Sequence, residues 1–140
     1  MALASLCGGL ALANAKLGAV HGFAGPIGGR FDAPHGAVCA RLLPFVMEAN
    51  VRTLQERAPD APALARYREA AAILTGDAAA DVAWIQALAD ELAVPGLADY
   101  GMTQDHFTPV LAQAILSSSM QGNPIGLTEA ELTAVLSHAL

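Results

Sequence analysis

Basic residues are scarce. Seven lysines and arginines stand against thirteen acidic residues in a chain of 140, for a formal charge of −6 at pH 7, and nowhere do they gather into a patch. Without such a patch there is no counterion release to drive nucleic-acid binding, which excludes DNA and RNA as partners. Sulfur is equally sparse. Cys7 and Cys39 are the only cysteines; their spacing fits no metal-binding motif and no export signal accompanies them, so reduced thiols in the cytoplasm are expected. A third shortage is of strand signals. No sustained alternation of β-branched residues occurs, whereas alanine and leucine dominate, so an all-α fold is expected. Finally, the apolar opening "MALASLCGGLALANAKLGAV" has no Lys or Arg ahead of it, as a signal peptide requires. Asn14 and Lys16 break the run before it is long enough to cross a bilayer. A buried helix is the expected state of this stretch, with no membrane partner.

What the chain does have is apolar surface. Hydrophobic residues make up 54% and charged residues 14%, and the mean hydropathy is +0.44. The length suits one domain spanning residues 1–140, and the composition implies that part of its surface is hidden against something else. No linker or internal repeat divides it. The spacing predicts a helix over about Ala2 to Leu17, with Gly8 and Gly9 marking a close approach to another helix. A short helix follows that carries His21 and ends near Gly28 and Gly29. Asp32, as a cap, and Pro34, in the first turn, then predict a long helix to about Arg57, kinked at Pro44.

Beyond "APDAP" at 58–62, the stripe Leu64, Tyr67, Ala71 and Leu74 predicts a helix ending near Gly76. Asp77 or Asp81 opens the next, with Val82, Ile85, Leu88 and Leu92 on one face, Trp84 one step off it and "VPG" at 94–96 as its end. A further helix runs over about Thr103 to Ser119. The last spans Thr128 to Leu140 and starts with a capping box between Thr128 and Glu131.

Few residues offer chemistry. His21 and His35 stand on consecutive elements joined by a glycine-rich turn in largely uncharged surroundings, and two imidazoles so placed could meet at one metal ion. Packed core histidines are the commoner outcome of such a pair, and two ligands fall short of the three or four that a site needs. Cys39 follows His35 at i+4. It could serve as a third ligand or a nucleophile, although a small buried thiol is the simpler reading. His106 and His138 show no ligand spacing and read as surface residues. "GPIGG" at 25–29 lacks both a preceding strand and the lysine of a phosphate loop, so it reads as a helix end. "SSSMQGNP" at 117–124 reads as a polar helix end with turn chemistry.

The stretch "LANAKLGAVHGFAGPIGGRFDAPHGAVCARLLPFVMEAN", Leu12 to Asn50, resembles the signature region of the iron-containing alcohol dehydrogenases, a group that includes the maleylacetate reductases. The likeness continues more loosely through "GNP" and the last helix. Two histidines separated by thirteen residues, the second followed by Gly and then by Leu-Leu-Pro, make it specific. The resemblance implies the carboxy-terminal helical domain of such an enzyme, a helical bundle. In the family a Rossmann-like amino-terminal domain binds NAD(P), and the helical domain binds a divalent metal, Fe²⁺ or Zn²⁺. The metal's ligands are an Asp and a His four apart on an earlier helix and two later histidines, which His21 and His35 match.

What the resemblance implies for function is an NAD(P)-dependent oxidoreductase that interconverts small alcohols with aldehydes or ketones by hydride transfer. The 140 residues start after the helix of the first two ligands and contain no glycine-rich phosphate turn. They are expected to be inactive alone, to pair with a nucleotide-binding half where one is present, and to form a homo-oligomer. One departure stands out: the family often carries a histidine four residues after the first of the pair, and here that residue is Gly25. A stand-alone helical binding or scaffold module that kept the fold without catalysis is the alternative.

Overall fold

Proline and glycine set several of the boundaries. Pro62 opens a helix at its first turn, where its missing N–H costs nothing, and Gly76 closes the same helix in the left-handed conformation, φ 80°. The computed structural model describes residues 1–80 and 82–140. These residues form seven α-helices: α1 Ala2–Asn14, α2 Ala19–Phe31, α3 His35–Arg57, α4 Pro62–Thr75, α5 Ala83–Glu91, α6 Phe107–Leu116 and α7 Glu129–Ala139. Short 3₁₀ turns occupy Leu97–Tyr100, Gln104–His106 and Met120–Gly122, and no strand occurs among the described residues. The all-α expectation holds. No single helix among them is long and apolar enough to cross a membrane.

The core is built around α2, which packs on α3 and α6. Phe23 and Ile27, one turn apart, are fully buried, as are Val38 and Leu42 on the facing side of α3. Each such side chain contributes about 1.5–3 kcal/mol on leaving water. Leu132, Val135, Leu136 and Ala139 of α7 and Val110 and Ala114 of α6 complete the cluster. Helix α3 continues through the buried Pro44 and is tied to α7 at both ends. Arg41 donates from Nε to the Ala139 carbonyl at 3.0 Å and from Nη2 to that of His138 at 3.3 Å, satisfying carbonyls that the end of α7 leaves unpaired.

At the other end of α7 the predicted capping box is present. The Thr128 amide donates to Glu131 Oε2 at 2.6 Å and the Glu131 amide to Thr128 Oγ1 at 3.3 Å. Glu131 also accepts from the buried Thr53 hydroxyl at 2.9 Å and pairs with Arg57 at 3.0 Å. The Thr128 amide does most to hold the Glu131 carboxyl below its usual range. Partial burial opposes it, while the hydroxyls of Thr128 and Thr53 and the Arg57 charge reinforce it.

Several expectations are corrected. Helix α1 is not buried: none of its residues is, Leu3, Leu6, Leu10 and Leu12 are all exposed, and a Cβ on Gly8 or Gly9 would meet nothing. The chain bends by 94° between α1 and α2, which carries α2 into the core and leaves α1 beside it. Helix α1 also stops at Asn14, short of Leu17, and α2 runs on to Phe31 with "GPIGG" inside it. Asp32 does not cap α3. It closes α2 in the left-handed region, φ 51°, and α3 starts after Pro34, whose carbonyl accepts from the amides of Ala37 and Val38. Aspartate tolerates that conformation and serves equally as a helix start or stop.

Asp77 closes a tight turn through the Ala79 amide at 2.8 Å and does not open α5; Asp81 lies outside the described residues. On α5 the buried residue is Ala89, while Leu88 and Leu92 are exposed, so the inward face is one step from the expected stripe. In α4, Leu64 and Ala71 are buried but Leu74 is exposed.

Candidate metal centre

Helix α2 presents His21 in its first turn, and α3 begins at His35. The left-handed residue at Asp32 and the Ala33-Pro34 corner fold the second helix back on the first, so the first turn of α3 lies beside α2. The structure brings the two imidazoles together: their ring centroids are 5.4 Å apart and tilted by 51°. His21 is half-buried and His35 exposed. Cys39, one turn beyond His35 on the same face of α3, joins them. Its Sγ lies 3.5 Å from His35 Nε2, and the donor atoms of His21, His35 and Cys39 all lie within 4.8 Å of one another. Burial pushes the Cys39 thiol up from its ordinary value, but the residue is only half-buried, less covered than the small buried thiol expected.

The donor set, two imidazole nitrogens and a sulfur within 4.8 Å of one another, is of the kind a divalent transition ion takes. A Cβ on Gly25, one turn beyond His21, would meet nothing within 4 Å. The room that the family's additional histidine would take is therefore open. The other histidines stand apart. His106 is half-buried rather than on the surface. Its Nδ1 accepts from the Thr103 amide at 3.0 Å and its ring packs edge-on against Phe31 at 4.9 Å, a structural role. His138 is exposed beside Phe45.

A groove of about 430 Å³ leads from His21 and Cys39 along α3 to Asn50 and Asn123. Sequence reasoning took 117–124 for turn chemistry alone and missed Asn123. Its Oδ1 accepts from the Ala19 amide at 3.1 Å, at the start of the helix that carries His21, and from Asn50 Nδ2 at 3.2 Å. Its Nδ2 donates to Asn50 Oδ1 at 2.6 Å and to the Ile125 carbonyl at 2.8 Å. Asn50 Nδ2 also donates to the Tyr67 hydroxyl at 3.1 Å. Burial raises the Tyr67 phenol above its ordinary value, and the Asn50 bond partly offsets this. Gly122 lets this loop close: a Cβ there would run into the Leu17 carbonyl and the Lys16 side chain. A larger cleft of about 910 Å³ among α3, α4 and α5, beside Trp84 and Arg52, contains none of the three donors.

Residues 1–140 match the Fe-containing alcohol dehydrogenase family, C-terminal. Among curated relatives, 1,3-propanediol dehydrogenase of Klebsiella pneumoniae is 34% identical over 141 residues, covering 99% of this chain and 36% of that protein. Lactaldehyde reductase of Escherichia coli (strain K12) is 34% identical over 126 residues, 89% of this chain and 33% of its own. The solved alcohol dehydrogenase from Oenococcus oeni superposes with a TM-score of 0.74 at 27% identity, covering 94% of this chain and 35% of that one. The chain therefore belongs to the iron-containing alcohol dehydrogenase family and is its C-terminal helical domain. It spans about a third of the length of the relatives it matches.

Proposed function

We propose that this chain is the metal-holding, substrate-side part of an NAD(P)-dependent oxidoreductase that interconverts a small alcohol with its aldehyde or ketone. The observation that carries the reading is the convergence of His21 and His35 from two helices, ring centroids 5.4 Å apart, in a chain of this family. His21 and His35 would hold a divalent ion, Fe²⁺ or Zn²⁺, with further ligands from outside these 140 residues. Such an ion supplies Lewis-acid polarisation of the substrate's alcohol or carbonyl oxygen.

The chain's own part is to fix the two imidazoles. The Asn123 side chain holds the first amide of α2, and the Pro34 corner sets where α3 begins. The nicotinamide would be bound by a nucleotide-binding half outside the 140 residues, with the cytoplasm as the setting and a homo-oligomer as the assembly. The open space at Gly25 favours a second reading, a helical binding module of the same fold without catalysis.

A chimera tests both readings. This chain would replace the matching third of the Klebsiella pneumoniae 1,3-propanediol dehydrogenase, and bound metal and alcohol oxidation would be measured. The proposal expects one metal per chain, NAD(P)-linked turnover, and loss of metal in His21→Ala and in His35→Ala. A full metal complement in both variants returns the histidines to a packing role. Metal without turnover, not restored by Gly25→His, favours the binding module.

A further inference from the structure

We infer that the cleft of about 910 Å³ among α3, α4 and α5 binds a carboxylate with an apolar body, such as a fatty acid, its head held by Arg52 and Arg68 and its body laid against Trp84. This goes beyond the metal reading and does not rest on it, since neither His21 nor His35 borders the cleft. The volume falls within the range of about 300–1,000 Å³ typical of small-molecule sites. Its walls are largely apolar. Met47 and Val51 of α3, Leu64 and Tyr67 of α4 and Trp84 of α5 line it, and all five are buried or half-buried, so they form a recess and not a solvated face. Trp84 belongs neither to the central core nor to the residues packed against it. An indole half-covered beside a cleft and outside the core is apolar surface that a ligand can cover.

Charge makes the ligand an anion. Among the described residues the ion pair is that of Arg57 with Glu131, so Arg52 and Arg68, which both border the cleft, have no carboxylate partner. Arg68 Nε donates to the Leu64 carbonyl at 3.4 Å, which leaves its Nη nitrogens for a ligand, and a guanidinium fork matches the two oxygens of a carboxylate. Tyr67 adds a third donor. Its hydroxyl accepts from Asn50 Nδ2 at 3.1 Å, so its own hydrogen is unspent, and burial keeps the phenol protonated by raising it above its ordinary value. Glu48, one turn before Arg52, is the acid on the described part of the lining. It is exposed, and against two guanidinium groups it leaves this lining net positive in a chain of formal charge −6.

The 140-residue chain is titrated with dodecanoate, dodecanol and butyrate while the emission of Trp84, its only tryptophan, is followed. Dodecanoate should bind one per chain and shift the emission to shorter wavelength as its tail displaces water from the indole. Dodecanol has the same body without the charge, and butyrate the charge with little body. Each should bind about tenfold more weakly or worse, the first for want of charge-assisted hydrogen bonds and the second for want of apolar contact. The Arg52→Ala/Arg68→Ala double variant should lose about tenfold in affinity for dodecanoate and none for dodecanol, Arg52→Lys/Arg68→Lys should recover part of the loss, and added salt should weaken dodecanoate binding. His21→Ala should leave it unchanged, which separates this site from the metal reading. Equal affinity for dodecanoate and dodecanol, or dodecanoate binding indifferent to both arginines, overturns the site and assigns the binding to exposed leucines such as those of α1. No response of Trp84 in a chain that is helical by circular dichroism overturns it as well, and loss of binding in His21→Ala moves the ligand to the groove at the histidines and overturns the cleft.

Discussion

Helices α1 and α2 are both thirteen residues long and follow one another in the chain, and the more apolar of the two is the exposed one. Helix α2 carries His21, an internal Pro26, the charged Arg30 and four glycines, yet buries six residues; α1 carries four leucines and buries none. What separates them is partners. Helix α2 has α3 on one side and α6 and the Met120–Gly122 turn on others, whereas the 94° bend leaves α1 outside this arrangement. Apolarity in a sequence records a demand for burial and says nothing about which element meets it.

The sharpest test of that contrast is Phe23→Ala. It removes a fully buried ring from α2 and is expected to cost about 3–5 kcal/mol of unfolding free energy in a urea titration. Asn123→Ala should come next, at about 1–3 kcal/mol, since it strands the Ala19 amide and the Asn50 carbonyl oxygen in a part-buried setting. The same variant should perturb the His21 ring signal in NMR spectra, because it frees the start of α2. Equal losses from Phe23→Ala and from a leucine change in α1 would break the comparison.

The acid limb of the stability curve supplies a smaller effect. The Glu131 carboxyl sits below its ordinary value of 4.5 in the folded chain. Its contribution is therefore complete above that value and disappears as the pH falls through the lower folded value. Glu131 and Arg57 are both partly exposed, so their ion pair is worth below about 1 kcal/mol. Glu131→Gln should flatten the acid limb measured by thermal unfolding. Smallest of all, Leu6→Ala in α1 should stay within about 0.5 kcal/mol. On the homo-oligomer proposed above, it should also lower self-association in sedimentation, since α1 exposes a row of leucines.

The features legible in the sequence are those fixed by near neighbours. Thr128 and Glu131 form their reciprocal bonds across three residues, and His35 and Cys39 share a face across four, so local spacing states them in full. The meeting of His21 and His35 was open to spacing alone and sharpened by resemblance, since a short turn and a proline corner have few ways to fold. Asp32 was misread because the same side chain suits a helix start and a left-handed stop, and only the conformation of Ala33-Pro34 decides between them. Asn50, Tyr67 and Asn123 left no signal, because their bonds join residues 17 and 73 positions apart and no periodicity links them. Helix α1 misled because its composition is that of a core helix.

The Asn123 bond to Ala19 spans 104 positions, and this has a consequence for the order of events during synthesis. The side chain that accepts the first amide of the His21 helix is made 104 residues after that amide. Until then α2 has neither that anchor nor the glycine turn at 122 against which its approach is set, and contacts of such long separation form late in folding. The two imidazoles are close in the chain and far from their support, so both leave the ribosome before the residue that anchors the start of α2 exists.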